Sequence, residues 1–150
     1  MKLSAFSIIL FTLLICFTSC SEADEVANNL EGSWNIAVYQ KTVYQGTTLN
    51  LEESGTFENK GQIEFNSNGK GYYNVLEDLG AGTYYGSGEF TWTNTADEVS
   101  IISGFETKNF SIVESGKSTF ELEREVSDFY FPGSEPGVSY SMIERLVLEK

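Results

Sequence analysis

One pattern, repeated three times, leaves this chain few ways to fold. In "GQIEFNSNGKGYY" (Gly61 to Tyr73), Ile63 and Phe65 alternate with Glu64 and Asn66. The chain then turns through Ser67-Asn68-Gly69 and returns on aromatic residues. Alternation with a period of two lays the apolar side chains on one face of an extended strand, and Asn-Gly residues accept the positive φ of a tight turn. "GEFTWTNTADEVSII" repeats the form with Phe90 and Trp92, a turn at Asn94 to Asp97, then Val99 and Ile101. "NFSIVESGKSTFELERE" repeats it again with Phe110 and Ile112, a turn at Ser115-Gly116, then Phe120 and Leu122. Three successive hairpins make an antiparallel meander.

Two further strands flank the meander. "SWNIAVYQK" (Ser33 to Lys41) opens it, and "SYSMIERLVLEK" (Ser139 to Lys150) closes it with Met142, Leu146 and Leu148 on one face. No helical period of any length appears, although Val26 to Leu30 fits one short turn. An open sheet of eight or nine strands would carry two unpaired edges, and closing it removes both. The expected fold is therefore all-β, a single small antiparallel up-and-down β-barrel of about eight strands. No significant helix is expected beyond the leader.

The leader ends abruptly. Lys2 is its only charge, Ile8 to Phe17 is almost wholly apolar, and Phe17-Thr18-Ser19 narrows toward Cys20. The apolar core is roughly half the ~20 residues a spanning helix needs, so it reads as a signal peptide. Leu14, Ile15, Phe17, Thr18, Ser19 and Cys20 resemble a bacterial lipobox, whose cysteine is acylated and becomes the new N-terminus; the plain alternative is an ordinary cleavage that leaves Cys20 a free thiol. Several acyl chains at about 0.8 kcal/mol per buried methylene would make the anchorage effectively permanent. Ser21 is not the aspartate of an inner-membrane retention signal, while Glu22, Asp24 and Glu25 resemble the acidic export tag of some surface lipoproteins. The resemblance implies an outer-membrane lipoprotein of the cell envelope. The organisation expected is signal peptide 1–19, acidic tether 20–29 and barrel domain 30–150.

Charge and missing residue types narrow the chemistry. The formal charge is −13, and the leader takes only Lys2 with it, leaving the mature chain more acidic still. Such a field repels phosphate backbones, so nucleic acid is not an expected partner. There is no histidine, and the two cysteines are Cys16 in the leader and Cys20. Ser-His-Asp and Cys-His sites, His-ligated zinc and disulfides are thereby excluded for the mature chain. The acidic pairs Glu52-Glu53, Glu77-Asp78 and Asp97-Glu98 fall in expected loops or turns, and neighbours on a strand would face opposite ways. None makes the facing carboxyl pair of a glycosidase or the alternating acids of a calcium loop. No catalytic residue, metal or cofactor is expected.

Gly32-Ser33-Trp34 on the first strand looks like the lipocalin G-x-W element, whose indole plugs the closed end of a barrel. Together with "IEFNSNGKGYY", "GEFTWTNTADEVSI" and "IERLVLEK", it resembles the bacterial lipocalin-like lipoprotein domain over Leu30 to Lys150. The resemblance implies an arginine packed on Trp34, with Arg145 or Arg124 as candidates. It also implies a small hydrophobic ligand inside the barrel, with Tyr39, Phe65, Tyr73, Phe90, Trp92 and Phe110 as candidate contacts. The alternative for each aromatic is that it fills the core. A filled barrel would instead suit a structural lipoprotein that meets another envelope protein. "LEDLGAGTYYGSG" (Leu76 to Gly88) and "SDFYFPGSEPG" (Ser127 to Gly137) mix Gly or Pro with aromatics, a composition that suits the rim of a barrel mouth or a partner surface.

Overall fold

The computed structural model describes residues 22–59, 61–75, 86–129 and 137–150. The leader, Cys20 and most of the two glycine- and aromatic-rich loops, including Tyr84, Tyr85, Tyr130 and Phe131, lie outside the described residues.

Nine strand segments follow one another: β1 (Gly32–Gln45), β2 (Thr48–Glu58), β3 (Gly61–Phe65), β4 (Lys70–Val75), β5 (Ser87–Asn94), β6 (Glu98–Ser103), β7 (Glu106–Ser115), β8 (Thr119–Phe129) and β9 (Tyr140–Glu149). β2 and β3 pair with successive stretches of the same edge of β1, Val38 to Gln45 and Gly32 to Asn35 respectively. They are two lengths of one barrel wall, joined at a kink where Asn59 (φ 52°) and Gly61 (φ 149°) leave the extended region. Each later strand pairs antiparallel with the one before it, and β9 returns to pair with β1 from Asn35↔Glu149 to Gln45↔Tyr140. The result is the closed eight-stranded up-and-down barrel that the hairpin pattern leads one to expect.

Alternation fills the interior. β1 sends Trp34 and Ile36 inward, and a register shift between Ile36 and Val38 resets the parity so that Tyr39, Lys41 and Val43 follow. Ile63, Phe65, Phe90, Trp92, Val99, Ile101, Phe110, Phe120, Leu122, Leu146 and Leu148 complete one contiguous core. Gly71 on β4 is glycine because a side chain there has no room. An added Cβ would run into the Phe90 ring and lie 2.6 Å from the backbone oxygen of Glu64. Gly71→Ala is expected to destabilise the barrel by about 2–3 kcal/mol, as overpacking does. A urea midpoint equal to that of the parent would refute this.

Residues 22–30 form a helix, α1, where the sequence reading allowed one turn and otherwise a solvated tether. Val26 and Leu30, four residues apart, are buried against the closed end of the barrel. Asn94 Nδ2 donates to the Ala23 carbonyl at 2.7 Å, and Lys150 Nζ donates to the Glu31 carbonyl at 3.1 Å. Glu22, Asp24 and Glu25 sit in the first turn, where the helix dipole favours negative charge. An isolated nine-residue helix is marginal in water. Burial of the Val26–Leu30 stripe sustains it, so α1 belongs to the barrel unit and the boundary expected at residue 30 is not a structural one.

Candidate functional site: the open half of the barrel

One end of the barrel is shut. Trp34 is 1 % exposed. Its Nε1 donates to the Leu30 carbonyl at 2.6 Å, and its ring meets Phe120 edge-on at 6.1 Å. The cation over the indole is Lys150, whose Nζ lies 4.3 Å from the ring centroid. This corrects the arginine expectation. Arg145 points outward, where its Nε and Nη2 donate to the two Glu121 oxygens at 2.6 and 2.9 Å, and that pairing holds the Glu121 carboxyl below its usual range. Arg124 is inside the barrel but lies over Phe110, 5.5 Å from its centroid. Lys150 takes the role because β9 ends at the closed rim, beside Trp34.

In the same half of the barrel as Trp34, the expected ligand contacts mostly touch one another. Phe65 meets Phe90 at 5.3 Å and Trp92 at 5.5 Å, both edge-on. Trp92 Nε1 donates to the Asn66 and Lys70 carbonyls, each at 3.1 Å, so it fastens the β3–β4 turn. Tyr73 is half-buried and stacks on Phe90. These side chains form a packed floor. Tyr39 and Phe110 instead meet charged groups, Glu144 and Arg124 respectively.

A belt of charge lies above the floor. Glu144 on β9 is 1 % exposed. Its Oε1 accepts a hydrogen bond from the Tyr39 hydroxyl at 2.7 Å, and its Oε2 accepts one from Arg124 Nε. Lys41 on β1 and Arg124 on β8 are its direct cross-strand neighbours on either side. Lys108 on β7, two residues before Phe110, adds a third cation. Lys41 and Lys108 are 4 % and 6 % exposed, and the Arg124 side chain is 11 % exposed. Acids nearer the rim reach in, with Lys41 Nζ 3.7 Å from Glu53 Oε2 and Lys108 Nζ 3.6 Å from Glu106 Oε1. Burial pushes the Lys108 amine below its usual pKa, with Glu144 and Glu106 pulling the other way. Among the described residues, Lys41, Lys108, Arg124 and Glu144 are the charged groups at this level of the interior, and each of the three cations has a carboxylate within ion-pair distance.

Beyond the belt the wall turns apolar again. Continuing each strand by two residues leads from Lys41 to Val43, from Arg124 to Val126, and from Glu144 to Met142 and then Tyr140. Val126, Met142 and Tyr140 are only partly buried. β4, β6 and β8 end, and β5, β7 and β9 begin, at this same mouth, so both aromatic loops arise from it. The acidic pair expected in a loop at Glu52-Glu53 instead lies in β2.

Arg124 entered the sequence reading only as a partner for Trp34, and Glu144, Lys41 and Lys108 did not enter it. The signal was nonetheless present, because each lies two residues along a strand from a residue on the buried face. Comparison with known protein families finds no model that matches the chain, and comparison with curated proteins finds no similar one.

Proposed function

We propose that this is a lipid-anchored, lipocalin-like protein of the outer membrane that holds a small, largely apolar molecule in the open half of its barrel and performs no catalysis. One observation carries the reading: a buried belt of charge lies between a packed aromatic floor and a partly open apolar upper wall. A barrel that served only as a scaffold would gain little from that belt. Replacing a buried ion pair by packed apolar residues is often neutral or stabilising, so desolvated charges in a core call for a use.

The anchor on Cys20 fits the same picture. α1 leads into the closed end, so a lipid two residues before it would turn the mouth away from the membrane. Cys20→Ser is expected to move the protein from the membrane fraction to the soluble one. Full retention in membranes would overturn the lipoprotein reading. The binding reading is tested separately with a neutral, environment-sensitive apolar dye. Saturable enhancement at one site per chain supports it, and its absence would leave the second reading.

That second reading is a filled barrel that meets another envelope protein. It has its own observation, since Phe105 stands fully out in solvent, Leu51 and Val113 are mostly exposed, and Leu49, Tyr72 and Ile102 are partly so. Exposed aromatics and leucines on so acidic a surface suit a partner interface.

A further inference from the structure

We propose that the outer wall of the barrel carries a further binding site, a trough running from β1 across β3, β4 and β5 to β6, which takes a neutral polysaccharide chain and stacks one of its sugars on Tyr72. The site faces away from the barrel interior, so the inference goes beyond the binding reading above and does not depend on it.

Strand parity is the first argument. The residues that alternate with the buried Trp34, Ile63, Phe65 and Phe90 lie on the outer face and are exposed. They line up in two rows across the wall. Asn35 pairs with Gln62 and Gln62 with Asn74 in one row, while Ser33, Glu64, Tyr72 and Glu89 are successive cross-strand neighbours in the other. Gln62 Nε2 donates to Asn35 Oδ1 at 3.3 Å within the first row. A side-chain amide offers both donors and acceptors, and a carboxylate accepts two hydrogen bonds side by side. Neighbouring hydroxyls of a sugar present donors and acceptors in adjacent pairs, which is the pattern such rows can answer.

Shape is the second argument. Three adjoining hollows follow these rows. The first, of about 360 Å³, is lined among the described residues by Asn35, Asn59, Gln62 and Asn74. The next, of about 210 Å³, shares Gln62 and Asn74 and adds Glu64 and Tyr72. The third, of about 580 Å³, shares Tyr72 and continues past Glu89 and Thr91 to Ile102. Four interstrand spacings make the trough about 19 Å long, which suits several linked sugars rather than one. Tyr72 stands where the second and third hollows meet. It is 43 % exposed and makes no ring contact or side-chain hydrogen bond among the described residues. The negative face of an open aromatic ring attracts the C–H bonds on the flat side of a sugar, while the sugar hydroxyls reach the amides beside it.

Charge is the third argument, and it selects the polymer. Glu64 and Glu89 flank Tyr72 directly, and Lys70 is the one cation among the described lining residues, on a chain whose formal charge is −13. That field repels an acidic polysaccharide and leaves a neutral one unopposed. A protein partner suits the trough less well, because interface centres are apolar and depleted in acids, whereas amides and carboxylates surround Tyr72. The exposed leucines and Phe105 are not among its lining residues.

The test is affinity electrophoresis of the whole chain, purified in a detergent without a sugar head, through native gels that contain a neutral α-glucan, β-glucan, mannan, xylan or galactan, with polygalacturonate as the acidic control. At least one neutral polysaccharide is expected to retard the protein. Tyr72→Ala should weaken that binding roughly tenfold, as the loss of an aromatic anchor does, and Tyr72→Phe should leave it nearly unchanged, because the ring face makes the contact. Gln62→Ala and Asn74→Ala should each weaken it by about threefold. These side chains are exposed, and an unchanged near-ultraviolet circular dichroism spectrum is the folding control. Saturable uptake of the apolar dye should be the same in Tyr72→Ala as in the parent, which separates this site from the barrel interior. No retardation by any neutral polysaccharide, retardation that Tyr72→Ala leaves unchanged, or stronger retardation by polygalacturonate would each overturn the inference and leave the interior binding reading intact.

Discussion

Glu144→Ala is expected to lower the stability of the barrel by about 3–5 kcal/mol, the cost of breaking a buried ion pair and leaving its cations uncompensated. The carboxylate holds the Tyr39 hydroxyl on one oxygen and Arg124 on the other. With it gone, the guanidinium and Lys108 remain inside without its charge, and the hydrogen bond from the Tyr39 hydroxyl to it is lost. Glu144→Gln keeps an oxygen for Tyr39 but removes the charge, so it should fall between the parent and the alanine variant. Urea unfolding followed by tryptophan fluorescence measures all three. An alanine variant within 1 kcal/mol of the parent would mean that water reaches the belt freely and that the charges are not desolvated as their burial implies. The double variant Glu144→Met, Arg124→Leu sharpens the comparison. It removes both members of the pair, and should recover much of the lost stability.

The second large effect is at the closed end. Trp34→Ala removes the largest side chain of that end and should cost about 3–5 kcal/mol, as other buried aromatic-to-alanine changes do. The indole is the meeting point of four parts of the chain: α1 through the Leu30 carbonyl, β8 through Phe120, β9 through the Lys150 ammonium, and its own β1. Its loss should also undock α1, since an isolated nine-residue helix has little stability of its own. Trp34→Phe keeps most of the packing but gives up the Nε1 bond, for about 1 kcal/mol. Amide exchange across residues 22–30 separates the two effects. Fast exchange in Trp34→Ala with a barrel still folded marks undocking, and unchanged protection would contradict the role given to the indole. Trp92, held by the β3–β4 turn, remains as the fluorescent reporter in both variants.

How much of this was legible in the sequence depends on how strictly the period of two was followed. The hairpins at 61–73, 88–102 and 109–125 announce themselves because their apolar residues alternate with threonines, serines and acids. The barrel follows from the absence of anything that would cover a sheet edge. β2 was not legible. It joins Asn50 and Ser54 to each other and to Val43 through an irregular stretch, and its leucines at 49 and 51 face solvent, so no alternating face is there to be seen. α1 was barely legible because two apolar residues four apart make a single turn, and its stability comes from the barrel end rather than from its own sequence.

The belt is the instructive case. In "SYSMIERLVLEK", Met142, Leu146 and Leu148 mark a face by their apolar character, and Glu144 shares their parity although it is charged. The same rule that places Tyr39, Phe110 and Leu122 inside also places Lys41, Lys108 and Arg124 inside. Polarity says what a buried group costs, whereas strand parity says where it is, and a functional interior is where the two disagree. The aromatic candidates show the converse. Phe65, Phe90 and Trp92 were legible as inward but not as floor, because only their mutual edge-on contacts distinguish core from cavity lining. The cation on Trp34 was misplaced for a related reason. Arg145 has the outward parity of Ile143 and Val147, and the cation that reaches the indole lies past the last strand residue.

The central claim, that the open half of the barrel holds a molecule, is tested most directly by native mass spectrometry of the protein purified from its own producer's membranes and released by cleavage before α1. A reproducible added mass, released on denaturation, is the predicted result. A bare chain at its calculated mass from every preparation, alongside a folded barrel that takes up no dye, would contradict it.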